Sequence, residues 1–207
     1  TLSQGGGTAY LKGIYDYATQ RYDVKLNTSQ LNIRNFMPSD SIGLVTAELT
    51  ASGQGMDFFS TATTLQADAT IHQFQYGAWN IDSVSTQATL SNGHITASAT
   101  SHNSTAQGNI DIDGTLLRDS IAATMTTNLT RADLHLMGLT DFPLALGLDA
   151  TFILNTDMHN SHRLQTVADN IRIYDNYGER SLLKVGMLAV TTPDTLRLRL
   201  QSGAKRS

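Results

Sequence analysis

Several residue groups in this 207-residue chain have types and spacing that chemistry could use. His159 and His162, in a His-Asn-Ser-His run, stand three apart, which suits a metal on one face of a helix. On a strand they would point to opposite faces, and no third ligand lies nearby in the chain, so no metal is expected. Asp111 and Asp113 flank Ile112 and share a strand face, the arrangement of a catalytic carboxylate pair. Gly114 follows them directly, so they read as the entry to a turn. Ser120 and Ser181 lack the Gly-x-Ser-x-Gly surroundings of a nucleophile elbow. Gly5-Gly6-Gly7 is not followed by a helix carrying Lys-Ser or Lys-Thr, so it is read as a flexible end and not as a phosphate loop. His94, His102 and His135 are read as solvated, in turns or on wet strand faces. Asn27-Thr28-Ser29, Asn103-Ser104-Thr105 and Asn128-Leu129-Thr130 match the N-glycosylation pattern, a coincidence in a chain this rich in Asn, Ser and Thr. The expectation is a protein that is not an enzyme, with no cofactor, no metal and no catalytic residue.

The remaining composition describes what must carry any function. There are 16 Asp against 2 Glu, only 4 Lys, and abundant Thr and Ser. Thr suits a pleated surface and Asp and Asn suit turns, while the strong helix formers Glu and Lys are scarce. The net charge of −4 and the scattered basic residues, with Lys205-Arg206 the one basic pair, give no face for a polyanion, so nucleic acid is not an expected partner. The absence of Cys removes disulfides and thiolate chemistry. No apolar run reaches the roughly 18 residues that a bilayer-spanning helix needs. The abrupt start at Thr1 and the stop after a strand-like run read as a piece of a longer protein.

Alternation with period 2 runs through almost every window, which argues strands with one wet and one dry face. Tyr22, Val24 and Leu26 begin it, followed by Val45, Ala47 and Leu49, and then by Leu65, Ala67, Ala69 and Ile71. Val84 to Leu90 and Ile95 to Ala99 flank Asn92-Gly93, the signature of a two-residue hairpin turn in which both central residues need φ > 0. Leu144 to Leu154 is the longest clean run, and Leu196, Leu198 and Leu200 close the pattern. Tyr76-Gly77, Gln107-Gly108, Asp113-Gly114 and Tyr177-Gly178 are read as turns. Ala9 to Thr19 has partly helical spacing, but Gly13 favours strand-turn-strand; a short helical turn is expected between Leu31 and Met37, stopped by Pro38.

The chain also resembles itself. Ser29 to Ile33 is similar to Ala132 to Leu136, an offset of 103 residues at Leu31 and Leu134. Ile42-Gly43-Leu44 matches Leu146-Gly147-Leu148 at an offset of 104, and Met56 matches Met158 at 102. Repeats of about 22–118 and 121–201 follow, within a single fragment of a repetitive β-domain over 1–207. Such repetition favours an elongated architecture.

Between Gly7 and Gly55, Gly-Thr-Ala-Tyr-Leu-Lys-Gly, Tyr-Asp-Val-Lys-Leu-Asn, Leu-Asn-Ile-Arg-Asn-Phe-Met-Pro and Ser-Gly-Gln-Gly-Met-Asp occur in that order. Leu-Ser-Asn-Gly-His-Ile, Arg-Ala-Asp-Leu-His-Leu-Met-Gly-Leu and Leu-Arg-Leu-Arg-Leu-Gln-Ser-Gly follow later. Together they resemble the periplasmic repeats of TamB-type and AsmA-like proteins, in the form seen in Bacteroidetes. That resemblance implies an all-β fold, an elongated antiparallel sheet curled into a taco-like trough or β-solenoid with little helix. It further implies a periplasmic, cell-envelope location, with the full-length protein anchored in the inner membrane. The function implied is phospholipid transport or outer-membrane protein assembly along an apolar groove. Phospholipid acyl chains are then the expected ligand, and an Omp85-type barrel the expected partner through regions outside this chain.

A groove of this kind needs a continuous dry stripe and no catalytic group: burying about ten methylenes of an acyl chain gains ~8 kcal/mol. The expected lining is Val45, Leu49, Leu65, Ile71, Trp79, Ile81, Ile95, Ile112, Ile121, Met125, Leu146, Leu148, Phe152 and Leu154. Ala67, Ala69, Ala97, Ala99 and Ala123 are small inward positions that leave room for a ligand or for a tightly packed second sheet. The alternative function is a structural or adhesive surface β-repeat that binds protein or glycan.

Overall fold

A computed structural model describes residues 2–4, 7–35, 42–77 and 79–203. Gly5, Gly6, Met37, Pro38 and the Lys205-Arg206 pair lie outside the described residues. Among those described, fifteen strands form one antiparallel sheet. They are β1 (Leu2–Gln4), β2 (Gly7–Asp16), β3 (Arg21–Asn32), β4 (Ile42–Gln54), β5 (Thr64–Tyr76), β6 (Trp79–Ile81), β7 (Val84–Ser91) and β8 (His94–His102), then β9 (Ala106–Leu117), β10 (Ser120–Asp133), β11 (Leu144–Thr156), β12 (His162–Asp175), β13 (Gly178–Ser181), β14 (Val185–Thr192) and β15 (Thr195–Ser202). Ile33–Asn35 forms a single 3-10 turn, and Ala9 to Asp16 is strand, with the turn at 17–20.

Each strand pairs with its neighbour in the chain, except that β5 passes to β7 and β12 to β14, leaving β6 and β13 as short flanking strands on β5 and β12. The sheet does not close on itself: β15 pairs with β14 alone, and β1 with β2 alone. Among the described residues, substantial contacts between strands are all between hydrogen-bonded neighbours, and no second layer covers either face. The surface area agrees. The chain exposes 13352 Å² at 22.4 kDa, where a compact globule of that mass exposes roughly 9,400 Å². The buried apolar side chains are correspondingly few: Leu31, Leu90, Ala132, Ala145 and Ala150.

Strand register reveals two equivalent halves, β2–β8 and β9–β15. In β3–β4 the register shifts between Thr28, opposite Ala47, and Leu31, opposite Val45. In β10–β11 it shifts between Leu129, opposite Leu148, and Ala132, opposite Leu146. Each of these four residues lies 101 positions from its counterpart (28 to 129, 31 to 132, 45 to 146, 47 to 148). β6 on β5 is matched by β13 on β12, and the two-residue turn of β7–β8 by that of β14–β15. At residue level this differs from the sequence alignment: Leu31 stands in the place of Ala132, two positions before Leu134.

The register shifts lie on one line across the sheet, just beyond the row Thr28, Ala47, Ile71, Leu129 and Leu148. Gln30 and Asn170 take φ of 46° and 48° there. A bulge bends its strand and adds local twist, so the sheet bends along this line. β7 and β14 end at the line, and beyond it β5 pairs with β6 and β12 with β13. Above the bend the sheet therefore divides into two tabs, one per half.

Two turn expectations are corrected. Gly108 and Gly114 lie within β9, and Asp111 and Asp113 sit on its exposed face in mid-strand and not at a turn entry. Ile110, Ile112 and Leu116 carry the alternation straight through both glycines. His159 lies in the β11–β12 loop, not on a strand. Asn92-Gly93 forms the expected hairpin turn, with φ of 51° and 72°.

Candidate functional site

Pairing register assigns every strand residue to one of two faces, and all fourteen expected lining residues fall on the same one. Val45 and Leu49 on β4, Leu65 and Ile71 on β5, and Trp79 and Ile81 on β6 share it. Ile95 on β8, Ile112 on β9, and Ile121 and Met125 on β10 continue it. Leu146, Leu148, Phe152 and Leu154 on β11 complete it. Each of the fourteen is half-buried, shielded by lateral neighbours and not by an opposing layer.

The opposite face is polar across the middle of the sheet. Thr89 and Thr96 hydroxyls meet at 2.7 Å across β7–β8. His94 Nε2 lies 3.2 Å from Asp113 Oδ2, so these two candidates for chemistry form an exposed cross-strand pair. Asp149 accepts amide N–H groups from Asn128 and Asn170 on the strands either side. At the β11–β12 end of the dry face His162 Nδ1 is 2.6 Å from the Thr156 hydroxyl, and in the loop between those strands His159 Nδ1 is 2.6 Å from the Asp157 carbonyl. Among the described residues no three of His, Asp and Glu come together as a metal would require.

The dry face is not uniform. One lateral row reads Gly13, Val24, Ala51, Ala67, Ala88 and Ala97 through the first half, and Ile112, Met125, Phe152, Thr166, Met187 and Leu200 through the second. Ala67, Ala69, Ala88, Ala97 and Ala99 leave a hollow of about 220 Å³ over β5–β8, bounded by Leu49, Ile110 and Ile112. A second apolar hollow of about 550 Å³ lies over β2–β5. Tyr15, Tyr22, Val24 and Leu65 form its floor, while Met56 and Phe58 of the β4–β5 loop form its rim. That loop is held by Asp57, whose carbonyl accepts from the Thr63 hydroxyl (2.6 Å) and whose carboxylate pairs with Arg118 of the β9–β10 turn. Tyr22 reaches over Gly53 to donate to the Thr64 carbonyl (3.3 Å), and burial raises its phenol pKa. A third hollow of about 200 Å³, between Val84, Ala99, Ile110 and Leu129, sits where the halves meet.

Sequence reading missed the Phe58 rim, because a loop's lean onto a sheet has no periodic signature. It also missed Asn103, which looked like a glycosylation coincidence. Asn103 is 4% exposed. Its amide donates to the Asn80 carbonyl (3.3 Å) and to Asp82 Oδ1 (2.9 Å), and its oxygen accepts from the Thr105 N–H (2.7 Å).

Comparison with known protein families, with characterised proteins and with solved structures finds no match to this chain.

Proposed function

We propose that the chain is a non-enzymatic scaffold segment whose dry face receives lipid acyl chains. One observation carries this reading: the apolar face continues in register across twelve strands, β2 to β15, with no second layer over it. A closed core hides such residues; here they stay half-open to solvent in rows that an extended chain can follow. At about 4.8 Å between strands the row runs on the order of 50 Å, longer than one acyl chain. Alanine hollows supply depth, and each buried methylene contributes about 0.8 kcal/mol without any polar group to orient it. The resemblance to TamB-type and AsmA-like repeats extends the proposal to a periplasmic trough between inner and outer membrane, serving phospholipid transport or outer-membrane protein assembly.

The test is lipid extraction from purified protein with mass spectrometry, together with titration of a fluorescent fatty acid. Phospholipid at a fixed ratio to protein is expected, with retention falling at least about tenfold in Leu148→Asp and Ile121→Asp. Correctly folded protein that carries no lipid and binds no fatty acid overturns the proposal. Unchanged retention in both folded variants removes those positions from the path.

A further inference from the structure

The two halves of the sheet meet at β8 and β9, and this junction is a template for the outer edges of β15 and β2. Ile95 pairs with Gly114 there, Ala97 with Ile112, and Ala99 with Ile110. Strand equivalence carries Ile95 to Leu198, through Leu90 and Ala189, each of which pairs with it in its own half. The same rows carry Gly114 to Tyr15, because Gly114 pairs with Ala123 as Tyr15 pairs with Tyr22. The outer edge of β15 is thus the counterpart of the β8 edge that β9 covers. The outer edge of β2 is the counterpart of the β9 edge that β8 covers.

We propose that β15 pairs with β2 of a second copy of this chain, head to tail, in the register of the β8–β9 junction. Leu198 then lies opposite Tyr15, Leu200 opposite Gly13, and Ser202 opposite Leu11. Three further observations support that occupant. Apolar exposure on the dry face is concentrated on these two edges: Leu196, Leu198 and Leu200 are 74%, 62% and 67% exposed, and Leu11 is 65% exposed. Ile95 and Ala97, the equivalents of Leu198 and Leu200 inside the sheet, are half-buried beside β9, and Ile110, the equivalent of Leu11, is 40% exposed beside β8. The charges match as well, since the register that places Leu198 opposite Tyr15 places Arg197 opposite Asp16, an opposite-charge cross-strand pair. Finally, β1 covers β2 only from Gly7 to Ala9, so the incoming strand, which reaches Leu11, does not displace it. The contact is heterologous and does not close, so it builds a row of copies with one continuous dry face. It stands independently of what that face binds.

The chain has no Cys, which makes site-directed cross-linking clean. Leu198→Cys and Tyr15→Cys proteins are mixed and treated with a short bis-maleimide, while light scattering follows the mass of the unmodified chain against concentration. A cross-link between the two variants is expected, with mass rising in an open-ended series. Leu198→Lys is expected to weaken association about tenfold or more while circular dichroism stays unchanged, as a charge on an edge strand opposes pairing. A chain that remains monomeric at all concentrations overturns the proposal. So does efficient cross-linking of Leu198→Cys to itself, which would mark a symmetric β15–β15 contact.

Discussion

The halves β2–β8 and β9–β15 share a strand plan, a bulge line and a flanking tab, yet their dry faces differ in bulk. Where the first half places Ala51, Ala67, Ala88 and Ala97 in a lateral row, the second places Phe152, Thr166, Met187 and Leu200. Backbone geometry is therefore set by hydrogen-bond register and bulges, and not by the size of the residues on the face. The face is free to vary because, among the described residues, no second sheet packs down on it. In a two-layer sandwich, exchanging four alanines for larger side chains would force the partner sheet away.

The sharpest way to break this equivalence is at Gly53, whose counterpart is Leu154. A Cβ at Gly53 would lie 2.0 Å from the Thr64 carbonyl oxygen and 2.6 Å from the Tyr22 hydroxyl. Gly53→Leu, which imports the second half's residue, is expected to cost about 3 kcal/mol in urea unfolding. Removing the ring with Tyr22→Ala is expected to restore only part of that, since the closer clash is with backbone. A cost below about 1 kcal/mol would mean that the halves are interchangeable there.

A smaller effect tests the open face directly. Ala88→Leu with Ala97→Leu fills the alanine hollow, and on an uncovered face the unfolding midpoint should shift by less than about 1 kcal/mol, while fatty-acid binding falls. Destabilisation of about 2–3 kcal/mol would reveal a closed core in the first half and would end the comparison drawn above.

The smallest effect concerns the equivalent loops after β4 and β11. Asp157 Oδ1 accepts N–H groups from His159, Asn160 and Ser161 at 3.0, 2.9 and 2.8 Å. Those bonds, with Ser161's the largest contributor, lower its pKa from 3.8 to about 2. A lowered carboxylate pKa favours the folded loop above pH 3.8, and that contribution is lost as pH falls through about 2. Amide NMR signals of His159 to Ser161 should titrate near pH 2. A midpoint near 3.8 would show that the carboxylate does not hold the loop.

The sheet was legible in the sequence because each strand has one wet and one dry face, so period 2 survives almost everywhere. The fourteen positions expected to line a groove share a face for the same reason. Glycine misled where it lay inside a strand: Gly108 and Gly114 look like turns until Ile110, Ile112 and Leu116 are seen to keep their phase. Bulges were not legible, since they arise from mismatch between neighbours and not from one strand's pattern. Leu31 was aligned with Leu134 by residue likeness, whereas paired register equates it with Ala132. Openness was likewise hidden, because a missing layer depends on contacts between distant segments.

Asn103 gives the bend a mechanical consequence. Among the described residues the two tabs above it share no ladder of hydrogen bonds; β6 reaches the neighbouring half through the Asn103 amide, whose oxygen accepts from the Thr105 N–H while the Thr105 carbonyl accepts from the Asp133 N–H (2.7 Å). The sheet is in effect a comb, with a common spine below and separate teeth above, and Asn103 is the stitch between adjacent teeth. Cutting that stitch would let each tooth tilt alone while the spine kept its register, so the tilt of the sheet above the bend is set locally, one repeat at a time.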